Sequence, residues 1–513
     1  MKKLIPAVLL SAIIAVSLPF PATALADEAS AVSSTEAPAT YAHSTTVAST
    51  RSGSDFALTV SWNDPVAGQP LTLHCTANGG TGNHKFYMYA PDYTDPSFGR
   101  EVVTDPAHIA GYTSVVESKD YEFTPMATGS YRFRVSSMDM GSSPQIVTAT
   151  VTVTIDDPNY PSVSARVNSA VEKCNAETDG SEYQKALWLH DWLLDQLEYD
   201  NTLNWSSAEA ALCRGTGTCQ AYTDAYALLL NAAGITNTDI RDTYDTHTWN
   251  AVKIDDQWCQ VDCTWDDNTD SKYYGFDSRH LYFGLTDELM AVAHPGHEKI
   301  YSAADYGTRS TTLANNYFVR NGEATKWASA YTDRIQTHLD AKETSFSIVS
   351  DNASLPPSIS GVQNGIVSYA LNQKAWTVKG ADVKLSTKSV VTTASSTSWT
   401  ATYSFTADYP AVHERAVADG SYAAQSALGE RMCLSPAETG SALSSTPQML
   451  SFAYDESTGL YRISSGSLAL EADGRKARLA SPDGSLAQLW EVSDAGGGRW
   501  AISSAASGLA LDA

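Results

Sequence analysis

The residue in this sequence best suited to covalent chemistry is Cys219, which follows the stretch Gly215-Thr216-Gly217-Thr218. Apolar residues over 220–233 recur at helical spacing, and Gly234 ends the pattern, so a helix is predicted to begin at the cysteine. Backbone N–H groups and the positive end of the helix dipole stabilise a thiolate at such a position. The same N–H groups can hold an oxyanion when a carbonyl is attacked. Cys219 is therefore a candidate nucleophile, which still needs a base.

A predicted hairpin supplies the base and a carboxylate to orient it. Residues 247–254 and 258–265 alternate as strands do and are joined by Asp255-Asp256. A two-residue turn pairs residues whose numbers sum to 511, so Asp262 becomes the diagonal neighbour of His247 on one face of the sheet. A register change of one residue would separate them onto opposite faces. A carboxylate beside an imidazole holds its tautomer and stabilises its charged form.

Four motifs in order resemble the transglutaminase-like superfamily, which has a papain-like fold. The upstream helix carries His190-Asp191-Trp192-Leu193, and the nucleophile lies in Gly217-Thr218-Cys219-Gln220-Ala221-Tyr222. The two strands carry His247-Thr248-Trp249-Asn250 and the run WCQVDCTWDD of residues 258–267. The resemblance covers roughly residues 165–300. It implies that Cys219 is the nucleophile, His247 the general base and Asp262 the orienting carboxylate.

The resemblance also implies the class of reaction. Cys219 would attack an amide carbonyl and form a thioester, with His247 passing a proton to the leaving amine. Water as the second nucleophile gives hydrolysis by a peptidase, amidase or deamidase, and a lysine amine gives an isopeptide crosslink. The sequence leaves these outcomes open, as it does the identity of the substrate. A protein or a cell-wall peptide is the expected partner.

Several neighbouring features are expected to be structural. Ala221 stands where bacterial members of the superfamily commonly have glycine, and Cys259 and Cys263 are expected on one strand, facing away from Asp262. Two roles are considered for Trp249, lining the acyl pocket and packing in the core, and the core is expected. Gln220 either supports an oxyanion or faces solvent. Neither a cofactor nor a bound metal is expected. Two possible metal motifs are accordingly interpreted as an ordinary polar loop and a turn: Asp266-x-Asn268-x-Asp270 and His294-Pro-Gly-His297.

Composition and the first residues indicate the compartment. The 513 residues carry 33 Lys and Arg against 58 Asp and Glu, a formal net charge of −25 that argues against a nucleic-acid partner. Residues 1–26 form a signal peptide pattern, with Lys2-Lys3, an apolar stretch and Ala24-Leu25-Ala26, so a secreted or cell-surface protein without stable membrane insertion is expected. Seven cysteines leave at least one thiol unpaired, and if that thiol is Cys219, the other six allow 15 pairings.

The chain is predicted to be multidomain. Residues 27–55 are a Ser/Thr-rich linker, and 56–155 form a β-sandwich that resembles immunoglobulin-like or PKD-like modules. Residues 156–340 form the α+β papain-like core. Residues 341–408 form a small α/β unit, β-rich with one short helix.

The last segment, residues 409–513, carries an internal repeat. Tyr422, Tyr461 and Trp500 recur at an interval of 39, and Gln488-Leu489-Trp490 has a degenerate counterpart in Gln448-Met449-Leu450. These features resemble the ricin-type β-trefoil lectins, with an incomplete third unit. The resemblance implies glycans as a further partner. It also supports an alternative function: a surface adhesin or carbohydrate-binding protein in which the transglutaminase-like domain is an inactive scaffold.

Overall fold

The computed structural model describes residues 40–89, 91–98, 100–104, 113–241, 247–294, 307–352, 354–378, 381–395, 398–409, 415–427, 431–456, 458–474 and 476–511. The predicted signal peptide lies outside these ranges. Within them, no helix has both the length and the apolar character needed to cross a membrane.

The N-terminal unit consists of two antiparallel sheets whose buried faces share one core. The first has strand order β1-β2-β3-β7, and the second has β4-β8-β5-β6 with β9 paired to β8. The linker expected through residue 55 ends earlier than predicted, because its residues 43–48 form the edge strand β1 and pair with β2. The resemblance of this unit to immunoglobulin-like or PKD-like modules stays a prediction. Strands β1 to β9 are His43–Ala48, Ala57–Trp62, Leu71–Asn78, His84–Met88, Asp92–Asp95, Arg100–Thr104, Ser118–Phe123, Gly129–Asp139 and Gln145–Ile155.

The central unit places helices against a four-stranded antiparallel sheet of order β12-β13-β14-β15. Strands β10 to β15 are Glu198–Tyr199, Thr216–Gly217, Asn237–Arg241, Thr248–Ile254, Gln257–Val261 and Phe283–Leu285. Helices α1 to α6 are Val163–Glu177, Glu182–Gln196, Cys219–Ala232, Cys263–Asp266, Ser271–Tyr274 and Asp287–Ala293. A π-helical turn spans Ala210–Arg214, and a 3-10 turn spans Ser278–His280.

The predicted hairpin register is confirmed, but its second strand is shorter than expected. Asn250 pairs with Val261 and Ala251 with Gln260, the register deduced from the two-residue turn. Asp255 and Asp256 have φ of 50° and 60°, which suits the turn type that matches strand twist. The strand expected through residue 265 ends at Val261.

The strand ends there because the Asp262 side chain caps a helix. Its carboxylate accepts the backbone N–H groups of Thr264 and Trp265, so these amides leave the sheet ladder and the chain turns into α4. Cys263 therefore lies in a helix, and the expectation that it shares a strand with Cys259 is wrong. None of the seven cysteines, all of which lie in the described ranges, forms a disulfide.

Residues 341–408 form a second four-stranded sheet, of order β16-β19-β18-β17, covered by a helix that is much longer than the short one expected. This unit and the central unit share a core, in which Leu289 of α6 packs with Ile366 of the long helix. The strands β16 to β19 are Ser345–Val349, Trp376–Val378, Ala381–Ser395 and Ser398–Asp408. The helices α7 to α10 are Tyr317–Arg320, Glu323–Ser329, Thr332–Asp340 and Pro357–Gln373.

The N-terminal unit is joined to the central unit by buried polar contacts. Tyr131 of β8 donates its hydroxyl to Glu209 at 2.8 Å, and Glu209 is paired with Arg214 at 2.9 Å. At the start of α1, the Ser164 backbone N–H donates to Asp95 at 2.8 Å. These contacts lie beside one continuous apolar core, so the N-terminal sheets pack directly against the central unit.

The C-terminal unit has its own core. The two glutamines of the repeat contact corresponding positions: Gln448 accepts from the Ser435 hydroxyl at 2.9 Å, and Gln488 donates to the Glu471 carboxylate at the same distance. Among the three aromatic residues of the repeat, only Tyr461 is buried, whereas Tyr422 and Trp500 are exposed. The trefoil itself stays a prediction. Strands β20 to β28 are Gly420–Tyr422, Cys433–Ala437, Gly440–Ser444, Leu450–Asp455, Leu460–Ser465, Leu468–Asp473, Lys476–Ala480, Leu489–Gly496 and Arg499–Ser504.

Gly284 in β15 lies close to the backbone of Asn315, and its substitution tests whether the central sheet depends on this close approach. Gly284 has φ +80°, and a Cβ there would lie 2.3 Å from the carbonyl oxygen of Asn315. We expect Gly284→Ala to lower the free energy of unfolding by about 2–4 kcal/mol, since backbone strain and overpacking add. Gly275 has a similar φ of +77° but open space around it, so Gly275→Ala is the matched control and should cost only about 1 kcal/mol. Equal losses in urea unfolding would contradict the packing argument.

Candidate active site

Cys219 is the first residue of α3, and a short parallel pairing holds the chain before it. Strand β10 pairs with β11 immediately upstream, and the Thr218 backbone N–H donates to the Trp205 carbonyl at 2.7 Å. A Cβ on Gly217 would lie 2.4 Å from the Cβ of Ala221, so a glycine is needed where the chain enters the helix. Cys219 is the one cysteine of the seven that is not buried.

His247 lies directly before β13 and connects Cys219 to Asp262. Its Nε2 is 2.7 Å from Oδ2 of Asp262, and its ring also hydrogen-bonds Cys219. Because Nε2 faces the carboxylate, Nδ1 is the nitrogen left for the thiol. The side-chain amide of Asn250 donates to the Thr223 carbonyl at 3.1 Å and ties β13 to α3. The three predicted site residues are thus brought together in the order nucleophile, base, carboxylate.

The Asp262 carboxylate is fully buried and engaged on both oxygens. Oδ1 accepts the backbone N–H groups of Thr264 and Trp265, each at 3.1 Å. Oδ2 accepts from His247, and Nε2 of His294 lies 3.5 Å away. The helix cap therefore fixes the carboxylate, and the fixed carboxylate orients the imidazole.

These contacts decide the charge states. Burial disfavours a charged His247, but the Asp262 charge and hydrogen bond outweigh it, and together with Cys219 they raise the pKa of His247 to about 10. Burial alone would raise the pKa of Asp262, but the His247 charge and hydrogen bond hold it well below its ordinary value. At neutral pH the pair is an imidazolium facing a carboxylate. The positive charge of that imidazolium lies next to the sulfur of Cys219.

Aromatic rings pack around the imidazoles of His247 and His294. Trp249 stacks on His294 with ring centroids 5.0 Å apart. The ring centroids of Trp265 and His294 are 4.0 Å apart. Trp249 is 2% exposed and donates its indole N–H to Gln260, so it is a core residue, one of the two roles considered for it. Gln220 donates to Asp224 one turn later in α3, at 2.8 Å.

His294 is the neighbour that the sequence interpretation missed. It was expected to belong to a turn, yet its imidazole is buried beside Asp262 at the end of α6. Its position comes from the packing of α6 on α10, where Gly365 leaves room for Leu289. The motif His294-Pro-Gly-His297 does not reveal this burial, since the two helices are more than sixty residues apart in the chain. Asp266, expected in a polar loop, is also fully buried.

Two groups of side chains among the described residues converge closely enough to hold a metal ion. The first is His247, Asp262 and His294. There, a cation would replace the proton on Nε2 of His247 and break the hydrogen bond that orients it, so this group is best suited to holding protons. The second group is His190, Asp191 and His280.

Comparison with known proteins agrees with this geometry. Residues 169–263, which include all three candidate site residues, match the family model of the transglutaminase-like superfamily. A search of curated proteins gives no significant match.

Solved structures are similar to the chain at low identity. One is a TGase, with 14% identity over 25% of this chain and 43% of that one, and a TM-score of 0.19. A candidate cysteine protease from Cytophaga hutchinsonii has 13% identity over 43% and 79% of the two chains, with a TM-score of 0.17. A candidate protease from Parabacteroides distasonis has 11% identity over 41% and 67%, with a TM-score of 0.14. This chain spans less than half the length of the TGase.

Alkylation tests whether His247 and Asp262 activate the thiol. With limiting iodoacetamide near pH 6.5, we expect Cys219 to react ahead of the six buried cysteines. His247→Gln and Asp262→Asn should each slow that reaction by about 10-fold or more, because the positive charge beside the sulfur is lost or weakened. Peptide mass spectrometry gives the site and rate.

The matched control for this experiment is His74→Gln. It removes another histidine–aspartate pair, His74 with Asp120 at 2.6 Å, from the N-terminal unit. It should leave the rate at Cys219 unchanged. A wild-type Cys219 that reacts no faster than in His247→Gln would exclude activation by this pair.

Proposed function

We propose that the protein is a transglutaminase-like cysteine enzyme that forms a thioester from a peptide or protein amide. The observation that carries the proposal is the continuous chain of contacts from Cys219 through His247 to the buried Asp262. The transglutaminase-like match over residues 169–263 supports it.

The first half-reaction is acylation. The Cys219 thiolate attacks the amide carbonyl carbon, and the C–S bond forms as the carbonyl oxygen becomes an oxyanion. Backbone N–H groups at the start of α3 are the donors available to that oxygen. The oxyanion collapses, the C–N bond breaks, and the His247 imidazolium gives its proton to the departing amine. The products are a free amine and a thioester on Cys219, with His247 left neutral.

The second half-reaction regenerates the enzyme. Neutral His247 takes a proton from water or from an incoming amine, which attacks the thioester carbon. The C–S bond breaks and the thiolate returns beside an imidazolium, as at the start. Asp262 stabilises that imidazolium at both ends of the cycle without itself exchanging a proton. Hydrolysis and transfer use the same three residues and differ only in which nucleophile reaches the thioester.

The setting of this reaction is also part of the proposal. The signal peptide pattern supports secretion, and an extracellular protein or cell-wall peptide is the substrate class we propose. The repeats of the C-terminal unit support glycans as a further partner. The N-terminal unit packs against the central unit through buried contacts, and we propose that it stabilises the site structurally.

An aryl ester tests acyl-enzyme formation without knowledge of the natural substrate. With p-nitrophenyl acetate, we expect a burst of one p-nitrophenol per chain and an acetyl group on Cys219 by peptide mass spectrometry. Cys219→Ala should show no burst, and His247→Gln should slow it by about 10²-fold or more. Adding a primary amine then separates transfer from hydrolysis by product mass. A wild-type trace equal to that of Cys219→Ala would refute the proposal.

A further inference from the structure

We propose that His190, Asp191 and His280 form a binding site for a divalent first-row transition metal ion such as Zn²⁺. Nδ1 of His190 lies 2.9 Å from Oδ1 of Asp191, and Nε2 of His280 lies 2.8 Å from the same oxygen. The three ligand atoms lie within 4.8 Å of one another. Two imidazoles and one carboxylate, with water in a fourth position, are a recurrent ligand set for Zn²⁺. Imidazole ligands disfavour Ca²⁺ and Mg²⁺, which prefer oxygen donors.

The outer nitrogens of both imidazoles are held as metal-binding histidines usually are. Nε2 of His190 is 3.2 Å from Oδ2 of Asp266, and Nδ1 of His280 is 2.9 Å from Oδ2 of Asp277. A carboxylate on the far nitrogen fixes the tautomer and raises the basicity of the nitrogen that faces the metal. The ring of Tyr317 stacks on His280 at 3.9 Å and fixes its plane.

The charges of this cluster require compensation. Three carboxylates surround two imidazoles, and both His190 and Asp266 are fully buried. One divalent ion bound to two neutral imidazoles adds two positive charges to the cluster. Two protons on those imidazoles would add the same charge. The two possibilities differ in composition, so an experiment can separate them. Asp191 is 46% exposed at its side chain and gives an ion a route from solvent.

The site also differs from the triad in what its imidazoles face. In the candidate active site, one nitrogen of His247 faces the Asp262 carboxylate, and the ring also hydrogen-bonds the Cys219 thiol. His247 is therefore placed to move a proton. In the His190 cluster, all four imidazole nitrogens face carboxylates, and the two inner ones share a single oxygen. That arrangement offers no substrate-facing nitrogen and is suited to holding an ion.

A bound ion would link separate segments next to the candidate active site. It would join α2 to the 3-10 turn that contains His280. Asp266 is the last residue of α4, the helix capped by Asp262, and it accepts the Tyr282 backbone N–H at 2.9 Å. The ion would thus brace the turn that presents Asp262 without contacting the reacting atoms.

The test is metal binding by the full chain, purified with a tag that contains no histidine. After treatment with a chelator and its removal, Co²⁺ is titrated and its visible d–d absorption is recorded, and Zn²⁺ content is then measured by plasma mass spectrometry. We expect one equivalent of either metal per chain, with Zn²⁺ displacing Co²⁺. His280→Gln and Asp191→Asn should reduce the bound metal at least 10-fold. His338→Gln, which removes the His338–Glu343 pair at 3.1 Å, is the control and should bind one equivalent.

Thermal unfolding keeps the proposal testable if a variant folds poorly. An ion that binds the folded chain raises its melting temperature, so Zn²⁺ should raise it for the metal-free wild type and the chelator should reverse the rise. A wild-type protein that takes up less than a tenth of an equivalent of metal, with no change in melting temperature, would overturn the proposal. Equal metal uptake by His280→Gln and the wild type would also overturn it, because the ion would then lie elsewhere.

Discussion

The buried carboxylate of Asp262 is the constraint on which the candidate site depends. A charge with no exposed surface must be matched by donors, and this one receives two backbone N–H groups and an imidazole. The two amides are available only because the strand stops at Val261 and turns into a helix. The same residue therefore ends the strand, starts the helix and keeps His247 charged. Replacing it would disturb fold and chemistry together.

Several surrounding elements support this pair and its cysteine. The β10–β11 pairing sets where α3 begins, and Asn250 fixes that helix against β13. The helix α10, from a unit outside the family match, packs on α6 and so places His294 beside Asp262. The N-terminal sheets contribute to the same core through Tyr131 and Glu209. Three segments that differ in composition thus build one supported site.

The sequence predicted the parts of the site that depend on local rules. A two-residue turn fixes the hairpin register, and an amphipathic run after Cys219 fixes the helix, so both could be deduced from spacing. The end of β14 was missed because an aspartate side chain replaced sheet hydrogen bonding, a competition that alternation patterns do not reveal. His294 and Asp266 were missed because their burial depends on contacts with distant segments. The long helix Pro357–Gln373 was underestimated because its two glycines weaken the helical signal, although they are needed where α6 approaches.

The charge state of His247 is the central claim, and nuclear magnetic resonance can measure it directly. With ¹⁵N-labelled histidine, the ring nitrogens of His247 are followed from about pH 5.5 to about pH 10.5, and the His247→Gln variant assigns the signals. We predict an imidazolium that persists through neutral pH and loses its proton near pH 10, with a lower titration point in Asp262→Asn because burial then favours the neutral ring. A His247 that titrates near its ordinary value of about 6.5 in the wild type would contradict the account.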